Sequence, residues 1–146
     1  MADLLTGMRV SSSGMTAQRM RMNTISSNIA NINTTRTPEG GPYRRKDIVF
    51  EAMPEARSFG EVLMSQPQKE IDRVQVTDVA VDRKAPIMKY EPDHPDADEN
   101  GYVAYPNINL MEEMANMIQA TRAYEANVST MNATKDMAMS ALEIGR

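Results

Sequence analysis

The chain of 146 residues contains no cysteine, no tryptophan, only two phenylalanines and a single histidine. Without cysteine it forms no disulfide, thiolate zinc site or cysteine nucleophile. With so few large rings it lacks the side chains that dominate the core of a small globular enzyme. Nothing approaches twenty consecutive apolar residues, so no candidate membrane span exists. The first residues offer only Leu4-Leu5 beside Asp3, which is not the apolar core of a cleaved secretory signal. A G-x-S-x-G elbow, a phosphate-binding loop, a dinucleotide fingerprint and an H-E-x-x-H pair are all missing. These gaps count against an enzyme, and no cofactor is expected.

Methionine, by contrast, occurs fourteen times. Its flexible, polarisable side chain suits surfaces that pack against several neighbours. Charge is uneven: residues 1–46 carry a net +5, residues 47–106 a net −7 and residues 107–146 a net −2. The basic segment has scattered arginines and one cluster, Arg44-Arg45-Lys46, with no aromatic platform beyond Tyr43. That pattern fits a solvated or subunit-contacting face better than nucleic-acid binding.

The longest regular stretch is 107–146, free of proline and glycine from Leu110 to Ile144. Its apolar residues recur at alternating four-and-three spacing through Leu110, Met114, Met117, Thr121, Tyr124, Val128, Met131, Lys135, Ala138 and Leu142. Asn109 stands at the N-cap, and Glu112 and Glu113 put negative charge at the positive end of the helix dipole. A second edge, Met111 and Ile118, lies beside small residues that permit close helix approach. A weaker helix is predicted over 1–33, with a seam through Leu4, Met8, Ser11, Met15, Gln18, Met22, Ile25, Ile29 and Ile32. Gly7 and Gly14 each cost it about 1 kcal/mol, and its first dozen residues are expected to order only on packing. Two readings stay open, an antiparallel hairpin within one chain or two stripes that serve as assembly surfaces.

Residues 34–106 change character. Thr37-Pro38-Glu39-Gly40-Gly41-Pro42 is a loop. Tyr43–Phe50, Ile71–Val81 and Ile87–Tyr90 read as strands of a small antiparallel sheet. The valine alternation changes phase near Thr77-Asp78, which predicts a bulge or turn there. Residues 52–70 read as an exposed excursion, and Glu91–Pro106 as loop. Within that loop, Asp96 to Gly101 matches the first half of a calcium loop, but Asn107 occupies the closing Glu position and prolines deny the flanking helices. A solvated Asx-turn segment is the preferred reading, with no metal site. His94, beside Asp93 and Asp96, reads as structural. The fold class expected is mainly α with a small β insert. Coiled-coil-forming helices at the two ends (1–33 and 107–146) bracket a short antiparallel β/loop region (34–106), giving one discontinuous helical core plus an insert.

Ser13-Gly14-Met15-Thr16-Ala17-Gln18-Arg19, Met22-Asn23 and Ile25-Ser26-Ser27-Asn28-Ile29-Ala30-Asn31 resemble the N-terminal signature of the flagellar rod and hook axial proteins. Glu112-Glu113-Met114, Asn116-Met117-Ile118, Arg122-Ala123-Tyr124, Ala126-Asn127 and Lys135-Asp136-Met137 resemble that family's closing helix. The stretches from Glu39 to Lys46 and from Pro92 to Val103, with Pro106-Asn107 behind, narrow the likeness to its proximal-rod members. Met15 departs conservatively from the commoner leucine. The resemblance implies a structural subunit whose terminal helices pack into a helical tube that transmits torque and encloses an export channel. The implied location is the basal-body rod in the periplasmic space, reached through the flagellar export apparatus without a cleaved signal peptide. Implied partners are other rod proteins, copies of itself, and membrane-ring and export-gate components, with no nucleic acid and no membrane-spanning part. Candidate assembly-interface residues are Met8, Met15, Met22, Ile25, Ile29, Leu110, Met111, Met114, Met117, Ile118, Tyr124, Val128, Met131 and Leu142. A soluble coiled-coil adaptor or export chaperone is the alternative.

Overall fold

The computed structural model of the chain describes residues 2–53 and 73–144. Two long helices bracket two β-ribbons in the order α1 (Ala2–Ala30), β1 (Lys46–Met53), β2 (Arg73–Val81), β3 (Ile87–Tyr90), β4 (Tyr102–Tyr105) and α2 (Leu110–Ile144). The mainly helical class with a small β insert is therefore observed. Helix α1 runs unbroken through Gly7, Gly14 and three serines. Its hydroxyls are absorbed locally: Ser13 Oγ donates to the Val10 carbonyl at 2.7 Å and Thr16 Oγ1 to the Ser12 carbonyl at 3.1 Å. At α2 the predicted N-cap forms, with Asn109 Oδ1 accepting from the Met111 amide at 3.0 Å.

The helices lie antiparallel. Asn28 meets Glu113, Met22 meets Thr121 and Gly14 meets Asn127, so advancing along α1 means retreating along α2. Among the described elements, α2 packs on α1 alone, whereas α1 also carries β1 and β2 on another face. Ser13 joins helix to ribbon by accepting from the Val74 amide at 3.2 Å. An open groove of 660 Å³ separates the two, lined by Ser13, Ala17 and Met20 of α1 and by Val74 and Val76 of β2.

Strands β1 and β2 pair antiparallel from Lys46↔Val81 to Met53↔Arg73. The register shifts between Val49↔Asp78 and Phe50↔Val76, which leaves Thr77 as the extra residue where the valine phase change predicts a bulge. The sheet itself differs from expectation. Strand β3 does not join β1 and β2; it pairs with Tyr102–Tyr105, a segment read from sequence as loop. Tyr102-Val103-Ala104-Tyr105 is a β-prone run whose Val103 is fully buried. Gly101 sets its start with φ of +81°, and a Cβ there would lie 2.9 Å from the Tyr90 ring. The predicted strand residues Ile71 and Asp72, and most of the 52–70 excursion, lie outside the described residues.

Candidate assembly interface

The end of α1, the start of β1 and the start of α2 converge on one buried polar cluster. Asn28, with no exposed surface, uses its full hydrogen-bonding capacity. Its Nδ2 donates to the Lys46 carbonyl at 2.8 Å and to Glu113 Oε2 at 2.9 Å. Its Oδ1 accepts from the Lys46 amide at 3.0 Å and from the Tyr43 hydroxyl at 3.1 Å. Glu113, 1% exposed, places its other oxygen 2.8 Å from Arg45 Nε, while Arg45 Nη1 reaches Asp47 at 3.0 Å. Burial alone would lower the Arg45 pKa, but the hydrogen bonds to Glu113 and Asp47 hold it above its ordinary value. A buried carboxylate is costly unless paired and hydrogen-bonded. Here both conditions are met, and the cluster clasps three elements together.

Away from the clasp the seam relies on small and polar residues. On α2 the buried row is Glu113, Ala120 and Thr134, with Asn127 half-buried between them. The seven-residue steps put this row one position before the predicted Met114, Thr121, Val128 and Lys135. Gly14 explains the offset at one point: a Cβ there would sit 3.0 Å from Asn127 Nδ2, so the two backbones approach closely at that turn. Met117, Tyr124, Met131 and Ala138 are half-buried, while Thr121 and Val128 flank the seam half-buried. Lys135 and Leu142 stand exposed, off the seam on which the spacing placed them. On α1 the predicted phase holds. Ser11 and Ile25 are buried, and Met8, Met15, Met22 and Ile29 are half-buried. The side chain of Leu4 lies outside the described residues.

The pairing leaves an apolar edge of α2 uncovered. Leu110 and Met114 are over two-fifths exposed, Ile118 is 54% exposed and Met111 73%. Of the fourteen candidate residues, those on α1 together with Met117, Tyr124, Val128 and Met131 are at least partly covered within the chain. Leu110, Met111, Met114, Ile118 and Leu142 are exposed.

The Asp-rich loop spends its carboxylates internally. Asp96 accepts from Thr35 Oγ1 at 2.7 Å and lies 3.9 Å from Arg36, while Asp98 Oδ1 accepts from the amides of Asn100 and Tyr102. That arrangement is an Asx turn. His94 Nδ1 accepts from the Asp96 amide at 3.1 Å, and its ring meets Tyr105 edge-on. The histidine thus holds the loop's shape. Asn28, Tyr43, Arg45, Gly14 and Asn127 are the functional positions that periodicity does not single out. The one sequence signal for the clasp is an acid, Glu113, at helical spacing from the seam residues Met117 and Ala120.

Two family models match the chain at its ends: a "Flagella basal body rod protein" model over residues 8–36 and a "Flagellar basal body rod FlgEFG protein C-terminal" model over residues 99–144. The first contains Asn28 and the second Glu113, the two ends of the clasp's longest link. Full-length relatives are similar throughout. The flagellar basal-body rod protein FlgC of Borreliella burgdorferi is 44% identical, covering 97% of each chain. That of Bacillus subtilis is 43% identical over 95% of this chain and 96% of its own. The Aquifex aeolicus protein of the same name is 40% identical over 94% of this chain and 93% of its own.

Proposed function

We infer the role of the chain from its family, for it belongs to the flagellar basal-body rod proteins FlgC, structural subunits of the rod of the basal body rather than enzymes. Its helical hairpin acts as one stave of the proximal rod. Many such staves, packed helically side by side, transmit torque and enclose the channel through which later subunits are exported. The partners are other rod proteins and copies of this chain, with membrane-ring and export-gate components at the base. The chain works in the periplasmic part of the basal body and reaches it through the export apparatus.

The observation that carries this reading is the uncovered edge of α2. A hairpin that existed only to pair with itself would turn its bulkiest apolar residues inward, yet Met111, Met114 and Ile118 face away from α1. Ile118→Asp should therefore leave the thermal unfolding of the isolated chain within about 0.5 kcal/mol of wild type, as for other exposed substitutions, while abolishing recovery of the chain in purified basal bodies. Wild-type recovery of this variant would sink the assignment of that edge to assembly. The pairing of α1 and α2 within one chain is also what a soluble adaptor or export chaperone would show. Cell fractionation separates the two: an adaptor stays with the cytoplasm, and a rod subunit sediments with the basal body.

A further inference from the structure

The fourteen methionines of the chain differ in what covers their sulfur. Along the seam Met15, Met22, Met117 and Met131 are half-buried, and the Met22 sulfur also accepts a hydrogen bond from Thr121 Oγ1 at 3.5 Å. At the start of α2, by contrast, Met111 is 73% exposed and Met114 48%. Spaced three apart, the two share one helix face, between Leu110 and Ile118 on the apolar strip that α1 leaves bare. Met88 on β3 and Met137 and Met139 near the end of α2 are also exposed, but they lie outside this strip.

With neither cysteine nor tryptophan in the chain, the thioethers are its most readily oxidised side chains. In the reaction with hydrogen peroxide the sulfur gives an electron pair to one peroxide oxygen. The S–O bond forms as the O–O bond breaks, and the second oxygen leaves with both protons as water. The sulfur loses two electrons, the peroxide gains them, and the product is a methionine sulfoxide, which reductases return to the thioether. On a solvated surface the new dipole is hydrated. On an apolar strip that a neighbour must cover, it is a polar group without a partner.

We propose that Met111 and Met114 are a site of reversible oxidation: peroxide acting on the free chain converts them to sulfoxides, and the oxidised chain is left out of the rod until they are reduced. The proposal rests on the rod reading and gives the uncovered edge of that reading a form of regulation. The covered sulfurs of the seam play no part, so the hairpin keeps its fold while its edge changes character. Leucine, close to methionine in size but without sulfur, makes the edge insensitive to peroxide.

Limiting hydrogen peroxide added to the purified chain should oxidise Met111 and Met114 at least about threefold faster than Met22 and Met117, read by peptide mass spectrometry, with the circular dichroism unchanged. Equal rates overturn the proposal. In cells whose own rod subunit is replaced by this chain and its Met111→Leu/Met114→Leu variant together, the two compete for the same places. Their ratio in purified basal bodies should shift on peroxide exposure about tenfold toward the leucine variant, a difference of about 1.4 kcal/mol. Met88→Leu in the same competition should give no shift. An unchanged ratio for the double variant, or an equal shift for Met88→Leu, overturns the proposal and leaves the rod reading intact. Absence of the wild-type chain from the basal bodies of unstressed cells overturns the rod reading instead. Should the leucine variant not be incorporated, the wild-type chain decides alone. After a peroxide pulse, chains incorporated later should carry less sulfoxide at Met111 than the unassembled chains beside them, and equal fractions overturn the proposal.

Discussion

Asn28 and Glu113 are separated by 85 positions in sequence and by 2.9 Å in space. Glu113→Ala would leave Arg45 without its main partner and Asn28 with an unused donor. Arg45 is partly exposed and keeps Asp47, so the loss should lie below the roughly 3–5 kcal/mol of a fully buried pair, and urea unfolding of this variant should show a lowered midpoint with an unchanged slope. Glu113→Gln, which keeps the shape and an acceptor oxygen, should lose less. Gly14 supplies a second prediction at this scale. Alanine would gain about 1 kcal/mol of helix propensity, yet its Cβ would press on the Asn127 side chain. Gly14→Ala alone should therefore destabilise, and Gly14→Ala combined with Asn127→Ala should be more stable than Gly14→Ala. Thermal unfolding of the four chains of the cycle measures the coupling. Neither pair was legible in the sequence. The sequence offers Glu113 only a helix-dipole role, and spacing does not single out Asn28, because a hydrogen bond across the fold leaves no periodic trace.

The kind of each element is better encoded than its facing. Helices α1 and α2 and the bulge at Thr77 follow from apolar spacing and from the valine phase change. The facing of α2 does not, since apolar residues occupy both of its edges and a count of them selects Met114, Thr121 and Val128 over Glu113, Ala120 and Asn127. The row nearest α1 is set by how closely backbones approach, and small residues win there even when they are polar. Strand β4 was missed for a related reason: four residues behind a proline- and aspartate-rich stretch make a weak signal until Ile87–Tyr90 pairs with them. The Tyr105 hydroxyl fastens this ribbon to the loop by donating to Glu91 at 2.8 Å. That hydrogen bond, with burial and the nearby carboxylate charge adding to it, raises the phenol pKa above 10.0. A raised value means that the contribution is complete below the ordinary tyrosine range and is lost as pH climbs through the folded-state value. Ultraviolet difference titration should show Tyr105 ionising at lower pH in Glu91→Gln than in the wild type.

Taken as a whole molecule, the hairpin is fastened unevenly. The buried ion pair, the four hydrogen bonds of Asn28 and the contacts to β1 all gather where α1 ends and α2 begins. Amide exchange should follow this gradient, slowest around Ile25–Asn28 and Glu113–Ala120 and fastest in the first turns of α1 and the last turns of α2. Equal protection along both helices would contradict it. The bracketed architecture was legible from composition and periodicity, but the location of the fastening was not, because Tyr43 and Arg45 lie in a segment with no pattern of its own.

The antiparallel pairing also gives the molecule a mechanical direction. The start of α1 and the end of α2 both lie at the unclasped end of the hairpin, so a pull on either peels the helices apart one turn at a time. Each step breaks only the contacts of one turn, and the clasp yields last. Force applied across the hairpin's length instead loads every turn of the seam in parallel and meets the clasp at once. One fold thus yields readily when drawn out from an end and resists shear along its axis, the two loads that threading through a narrow pore and turning within a shaft impose.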